Sequence, residues 1–375
     1  MRMRAAVLYE QGIAPPYAVS KPLVVEDLEL DGPGPGEILV KIVAAGLCHS
    51  DLSSISGDRP RPIPLVPGHE AAGIVQELGS GIEDLEVGDH VVMVFVASCG
   101  HCPVCHGGRP NLCEASWGAR SKGTLPSGAR RLRTKERQIN HNSGLSVFAE
   151  YAVVSRQSVV RVAKDIPLHD AAVFGCAVIT GVGAVVNTAR VQLGADVAVT
   201  GLGGVGLSAI LGAKVAGAAK IIAIDVSAEK LGLARQLGAT HALDARDPKC
   251  AEAVKDLTLG GVDHAFEMSG APPAVGLAYA ILKRGGKLTI AGLPHPSQTL
   301  AIPVAAMVSD ERVVAGSYMG SCVPERDIPR FLEMYRLGRL PVDRLRTGTV
   351  SLDTINEGFD RLARAETVRD ILVFP

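Results

Sequence analysis

The sequence has almost no net charge. Its 38 lysines and arginines face 39 aspartates and glutamates, for a formal charge of -1. That balance offers no general attraction to nucleic acid or to an anionic membrane surface, so neither is expected as a partner. The sequence also lacks any run of about 18 or more apolar residues, so no membrane-spanning helix is predicted. No internal repeat or low-complexity segment stands out. The opening stretch MRMRAAVLYEQG alternates like a strand and lacks the apolar core and cleavage site of a signal peptide. A cytoplasmic, reducing setting is therefore expected, where thiols favour metal ligation over disulfides. Cysteine itself is scarce, with eight in 375 residues.

Four of those eight crowd into CGHCPVCHGGRPNLC, at Cys99, Cys102, Cys105 and Cys113. Chance would put about 0.3 of a cysteine in a window of that length. Four thiolates so spaced close a tetrahedron around zinc with no open position, as structural zinc sites do. A redox pair would need one CxxC at a helix start after a strand, whereas these steps overlap in a loop rich in Gly and Pro. A length of 375 residues exceeds one hydrophobic core and suggests two domains.

Residues 1–160 read as short strands separated by turns. Apolar runs at Ala5–Leu8, Ile38–Val43, Gly73–Val75, His90–Val94 and Glu150–Val154 lie between Gly and Pro clusters. This pattern predicts a barrel-like β domain. The stretch 120–137, RSKGTLPSGARRLRTKER, is basic and is expected to be a solvated surface loop. From about 178 the texture changes to alternating strands and helices, which predicts a parallel sheet covered on both faces. After about 320 it reverts: helices are predicted over Pro324–Leu337 and, capped by Asp353, over Ile355–Ala365. RDILVF forms a final strand that returns to the first domain.

In the middle region, ADVAVT is a buried strand followed by Gly201, Gly203, Gly204, Val205 and Gly206 at a helix start. Gly201, Gly203 and Gly206 spell G-x-G-x-x-G. The first allows a tight turn, the second lets backbone approach a pyrophosphate, and the third lets helix and strand pack closely. Asp225 ends the next strand, 19 residues beyond Gly206, where a carboxylate accepts both ribose hydroxyls and repels a 2′-phosphate. NAD is therefore the predicted dinucleotide. Elsewhere, Cys48 in GLCHSD, His69 in PGHE and Cys176 in FGCAVITG make a Cys₂His set that leaves a fourth position open, as a catalytic zinc requires. Spacing alone does not separate that reading from buried core cysteines and a turn histidine.

Together these motifs (GLCHSDL, PGHEAAGIV, the four-cysteine loop, FGCAVITGVGAV and VTGLGGVGLSAI…IIAIDVSAEK) resemble the zinc-dependent alcohol dehydrogenases of the medium-chain dehydrogenase/reductase superfamily. NEGFD and VRDILVF extend the resemblance to the C-terminus. It implies an α/β chain: a GroES-like β-barrel catalytic domain over 1–177 and 321–375, and an inserted Rossmann domain with a doubly wound parallel sheet over 178–320. The active site would lie in the cleft between them. Two zinc ions per chain and NAD are implied. Cys48, His69 and Cys176 would bind catalytic zinc, with Glu70 behind the metal as a transient ligand and Asp51 orienting His69. Cys99, Cys102, Cys105 and Cys113 would bind structural zinc.

By the same resemblance Ser50 would hydrogen-bond the substrate oxygen and pass its proton outward. His49 and Arg369 would contact the pyrophosphate, Thr180 and Val205 would press on the nicotinamide, and Lys230 would help hold the adenosine ribose. Phe95 and Trp117 would wall the substrate pocket. Cys250 and Cys322 are expected to be ordinary thiols. The implied reaction is reversible hydride transfer between NAD and a primary or secondary alcohol. A homodimer is expected, with a tetramer as the alternative, and the apolar run at 300–319 is the expected contact edge.

Some positions depart from familiar members. Ser53 stands where many animal enzymes carry a proton-relaying histidine, so the relay would run through Ser53, the cofactor ribose and water. Arg59 and Trp117 replace an acid and an arginine that contact glutathione in the glutathione-dependent formaldehyde dehydrogenases. That activity is kept as the alternative. Ser50, where some relatives have threonine, removes a methyl group and would admit bulkier or aromatic alcohols. A zinc-ribbon nucleic-acid binder leaves GLGGVG with Asp225 unexplained and lacks a basic surface. A zinc-free quinone reductase of the same superfamily would lack both cysteine sets, and a catalytically silent relative would lack Cys48, His69 or Cys176.

Overall fold

The computed structural model describes residues 1–374; Pro375, the last position of the predicted catalytic domain, lies outside the described residues. The chain divides into two compact units. The first comprises Met1–Cys176, Val323–Pro329 and Arg346–Pro375, and the second Ala177–Cys322 and Arg330–Leu345.

The first unit is β-rich, as its short alternating runs predict. Arg2–Leu8, Leu23–Leu30, Leu132–Arg133, Gln138–His141 and Leu65–Val66 close a barrel. Along Arg2–Leu8 the exposed and buried residues alternate at first, so that Met3, Ala5 and Val7 share a core with Leu28, Leu30 and Ile139. A second, seven-stranded sheet is built around the long strand Glu37–Gly46, which pairs with Ala71–Leu78, Tyr151–Ser155 and Asp370–Val373. The C-terminal strand thus lies in the first unit, antiparallel to Glu37–Gly46.

The basic stretch 120–137 departs from the expected solvated loop. It begins in the helix Glu114–Lys122 and supplies the strand Leu132–Arg133, which bridges two others in the barrel. Leu125 and Leu132 are the cause, because both are buried in the barrel core. The charges turn outward and find partners: Arg133 pairs with Glu29 and Asp31, Arg130 donates to Asn140, and Arg131 donates to buried Glu37. Burial raises the Glu37 pKa, but hydrogen bonds from Ser127, Gly34 and Arg131 hold it below the usual value.

The second unit carries a six-stranded, all-parallel sheet. Its order across the sheet is His241–Asp244, Lys220–Asp225, Asp196–Thr200, Val262–Glu267, Leu282–Ile290 and Val313–Gly316. Strand order reverses between Asp196–Thr200 and Val262–Glu267, where doubly wound sheets bind ligands at the strand ends. Ala198, Ile222 and Ile224 are buried with Val254, Ala278 and Leu288, as strands covered on both faces should be.

Two further expectations change. The predicted helix over Pro324–Leu337 runs Pro324–Arg336, and residues 330–345, expected in the first domain, belong to the second unit. There the turn Val342–Leu345 buries its two apolar ends and packs on the helix Gly204–Val215. Asp353 does not cap the helix Ile355–Ala363. Ser351 and Thr354 form a capping box on the turn leading into it, while Asp353 pairs with Arg4.

One barrel histidine gives the fold a pH dependence. Buried His141 accepts the backbone N–H of Arg131 at its Nε2, so that nitrogen carries no proton. Burial pushes its pKa down from 6.5 to about 4. The unfolded chain protonates near 6.5 while the folded one resists, so this contribution to stability is complete above pH 6.5 and is lost as pH falls to about 4. At most about 3 kcal/mol is involved. Thermal unfolding at pH 7.5 and 4.5 should show a smaller acid loss for His141→Gln than for the parent protein.

Candidate active site

Three stretches of the first unit bring Cys48, His69 and Cys176 together. Cys48 ends the turn after the strand Glu37–Gly46 and precedes the short helix His49–Ile55. His69 follows Gly68, whose φ of 91° suits glycine, and a Cβ there would lie 2.7 Å from the Phe148 ring. Cys176 falls between the turn Ala172–Gly175 and the helix Ala177–Gly183. The Sγ, Nε2 and Sγ atoms lie within 4.8 Å of one another, and all three residues are buried. The Phe95 ring packs edge-on against His69, with centroids 5.6 Å apart. Phe95 therefore stands beside this cluster.

His69 is oriented from behind. Its Nδ1 lies 3.0 Å from Asp51 Oδ1, which fixes the proton on Nδ1 and turns the Nε2 lone pair toward the two sulfurs. Asp51 Oδ1 also accepts the Gly68 N–H at 3.1 Å and the Asn142 side-chain amide at 3.1 Å. No sequence signal points to Asn142, since no spacing rule links a loop amide to a carboxylate 91 residues away.

Behind the cluster, Glu70 is fully buried, with Oε2 3.2 Å from Arg369 Nη1. The same guanidinium nitrogen donates to the Leu47 carbonyl at 2.8 Å. Arg369, expected at a pyrophosphate, is thus only 3% exposed and engaged by Glu70 and Leu47. Gly46 makes room for this pair, because a Cβ there would lie 2.8 Å from Glu70 Cδ. Burial pushes the Glu70 pKa up to about 7 against the pull of Arg369. The Cys48 thiol is held well below its usual pKa, chiefly by a hydrogen bond from Cys176, while the hydrogen bond with Cys48 and then burial hold Cys176 well above. Burial opposes protonation of His69, yet Asp51 and Cys48 raise its pKa strongly. The pocket of Cys48, Glu70 and Asp51 thus favours positive charge, and two sulfurs with one imidazole fit zinc.

The Sγ atoms of Cys99, Cys102, Cys105 and Cys113 also lie within 4.8 Å of one another. Backbone N–H groups point at them: Cys99 N donates to Cys113 Sγ and Cys102 N to Cys99 Sγ, both at 3.3 Å. Hydrogen bonds from the backbone of Cys105 and Glu114 bring the Cys102 thiol down to about 6, while burial raises Cys105 to about 12. Four sulfurs cradled by amides fit a closed, structural zinc site. Trp117 departs from the expectation of a pocket wall: it is 64% exposed, with Arg120 over its ring. The helix Glu114–Lys122 buries none of its residues, so the ring points outward.

In the second unit the glycines behave as the motif requires. Gly201 has φ 85° and a Cβ there would meet Ser269; a Cβ on Gly206 would lie 1.8 Å from the Gly201 carbonyl oxygen. Around Gly203 a Cβ would meet nothing within 4 Å, which leaves open backbone at the start of the 12-residue helix Gly204–Val215. Each Asp225 oxygen accepts one backbone N–H, from Leu202 at 2.6 Å and Ser227 at 2.9 Å. Carboxylate lone pairs remain for ribose hydroxyls. Thr180 is buried in the helix Ala177–Gly183, which packs so closely that a Cβ on Gly181 would lie 2.2 Å from the Val205 carbonyl. Lys230 is also buried, its N–H capped by Ser227 Oγ. These residues fit a dinucleotide on the open glycine turn.

The helix after Cys48 carries three other expected residues. His49 is exposed at its first turn and Ser50 is half-buried beside it. Ser53 Oγ donates to the His49 carbonyl at 2.9 Å, so its hydroxyl proton is committed to the helix backbone.

Comparison with known proteins places this geometry among relatives. Residues 34–164 match the alcohol dehydrogenase GroES-like domain, and residues 204–336 match the zinc-binding dehydrogenase domain. The chain is 38% identical over 377 residues to putative alcohol dehydrogenase D of Mycobacterium tuberculosis, covering 100% of both. It is 36% identical to S-(hydroxymethyl)glutathione dehydrogenase of Synechocystis, over 99% of this chain and 100% of that one. Its structure resembles benzyl alcohol dehydrogenase from Acinetobacter calcoaceticus, with a TM-score of 0.93, 33% identity and 100% coverage of both chains. A zinc-binding dehydrogenase from Sinorhizobium meliloti bound to NADP is similar at a TM-score of 0.82 and 27% identity, again over 100% of both chains.

The two clusters should separate on mutation. Elemental analysis of Cys48→Ser should find one zinc per chain instead of two, in a protein that stays folded. Cys102→Ala should lose the other zinc and unfold at lower temperature, and an inactive variant of normal stability would contradict the supporting role. Gly206→Ala, forced against the Gly201 carbonyl, should cost roughly 1–3 kcal/mol of stability and weaken NAD binding measured by calorimetry.

Proposed function

The chain belongs to the zinc-dependent alcohol dehydrogenases of the medium-chain dehydrogenase/reductase superfamily, and from that premise we propose that it oxidises a bulky or aromatic primary alcohol with NAD, reversibly, to the aldehyde. Oxidoreductase activity, zinc and a nicotinamide dinucleotide come with the family. The substrate class is supported above all by likeness to benzyl alcohol dehydrogenase over the whole chain. The smaller Ser50 in place of threonine agrees with it. NAD over NADP rests on the Asp225 carboxylate, which a 2′-phosphate would have to approach.

We assign Cys48, His69 and Cys176 to catalytic zinc and the four-cysteine loop to structural zinc. Zinc supplies a Lewis acid that brings an alcohol's pKa toward neutrality, and the nicotinamide supplies the hydride acceptor. Asp51 holds the Nδ1 proton of His69 and so keeps Nε2 available as a donor atom. Ser50 binds the alcohol oxygen and passes its proton outward. Ser53 Oγ donates to the His49 carbonyl, which leaves the Oγ lone pairs to meet that proton. Glu70, paired with Arg369, would balance charge where Cys48, His69 and Cys176 hold the metal.

A homodimer in the cytoplasm is the setting we favour. Val313–Gly316 ends the six-stranded sheet, and Val304, Val308 and Val313 beside it are exposed. Such an apolar edge is suited to pairing with a second copy.

The second reading is oxidation of the glutathione adduct of formaldehyde, favoured by the Synechocystis relative. Arg59 and Trp117 weigh against it. Turnover of ethanol, benzyl alcohol and S-hydroxymethylglutathione, followed by NADH absorbance with and without a chelator, decides between them. Benzyl alcohol should give the highest kcat/KM, at least tenfold above ethanol, a difference of about 1.4 kcal/mol. The glutathione adduct as best substrate would overturn the proposal.

A further inference from the structure

Asp51 Oδ1 is the meeting point of three donors from two stretches of chain: His69 Nδ1 and the Gly68 peptide N–H, and Asn142 Nδ2. Two of them belong to the turn that carries His69. The third is the only side chain other than His69 that hydrogen-bonds the carboxylate among the described hydrogen bonds, and it comes from a separate loop. Asp51 and Asn142 are both buried, so solvent does not replace a lost donor there.

The loop that presents Asn142 is held in an unfavourable conformation. Ser143, Gly144 and Ser146 have φ of 53°, 70° and 61°, and two of the three are not glycine. The loop closes on Asn142 itself. Its carbonyl accepts the N–H groups of Leu145 at 2.9 Å and Ser146 at 3.4 Å, and its own N–H donates to Ser146 Oγ at 3.0 Å. Beyond it, Val147 N and Phe148 N donate to the Gly68 and Pro67 carbonyls. Strained backbone survives where its surroundings over-determine it, and here it fixes one amide against one oxygen. A neutral amide also has the right chemistry. It donates to Asp51 without neutralising it, so the carboxylate keeps the charge that holds the imidazole.

On these grounds we propose that Asn142 is a positioning residue: its amide locks the Asp51 carboxylate, and through it the His69 ring, in the orientation that the Cys48–His69–Cys176 set needs to hold metal. This inference rests on the assignment of those three residues as metal ligands. Asn142→Leu keeps the side-chain size but removes the donor, and so separates hydrogen bonding from packing.

The test uses full-length protein loaded with zinc, and in parallel with cobalt(II). Metal release to a chelator should show two phases, one for each cluster. In Asn142→Leu the phase of the Cys₂His site should accelerate about tenfold or more, while the four-cysteine phase and the thermal midpoint stay as in the parent. The visible d–d bands of cobalt at the Cys₂His site should shift, because the imidazole is no longer held. Parental release rates and cobalt bands in a folded variant would overturn the inference. So would equal acceleration of both phases with a lowered midpoint and unshifted bands, which is a packing defect. Should the leucine variant be insoluble, Asn142→Ala is judged by the same readouts. A parent protein that binds a single metal overturns the ligand assignment and this inference with it; two metals in the parent and an unaffected variant overturn the inference alone.

Discussion

Buried charge has to be balanced where it lies, and the first unit is arranged around that constraint. Asp51 and Glu70 are both fully buried, as is Arg369, and His69 and Cys48 sit among them. Each acid has a named partner: the His69 ring N–H for Asp51 and the Arg369 guanidinium for Glu70. An isolated buried carboxylate would be costly, and removing one partner of such a set strands the other. The backbone makes space accordingly. Gly46 has no side chain because Glu70 fills that volume, and Gly68 bends the chain so that His69 faces Asp51. Local geometry, packing and electrostatics therefore converge on three donor atoms aimed at one point.

The second unit is governed by close approach instead of charge. Gly206 against Gly201 and Gly181 against Val205 bring a helix start down onto the strand ends with no side chain between. What results is bare backbone at Gly203, beside the point where strand order reverses. Asp225 does double duty there, accepting two loop N–H groups while keeping lone pairs outward.

Much of this was legible in the chain because the chemistry is local. The four cysteines lie within fifteen residues, and the glycine turn with its strand, helix and acid spans a single βαβ unit. Both reappear as compact geometry. Cys48, His69 and Cys176 are dispersed, and only the resemblance joined them; their proximity belongs to the fold. Signals that depend on what a segment packs against were misread. Net basicity hid Leu125 and Leu132, which draw the 120–137 stretch into the barrel. Trp117 invited a role that an exposed helix face does not give it. Asp353 looked like a cap but is taken by Arg4, a residue 349 positions away. Asn142 carried no signal at all, since nothing in sequence marks which amide a buried carboxylate will meet.

The pairing of Asp370–Val373 with Glu37–Gly46 bears on how the protein is made. Ile371 lies opposite Gly46, so the strand that leads to Cys48 is completed by residues from far along the chain. A ribosome emits the chain at about 5–20 residues per second, so the first unit waits for some tens of seconds with that edge uncovered. The second unit is different: Ala177–Cys322 is almost continuous and holds its whole parallel sheet. Its sheet needs no strand from Asp370–Val373. Pairing in the second unit is thus nearly local to one continuous stretch, whereas the metal-ligand unit depends on a pairing between strands far apart in the chain.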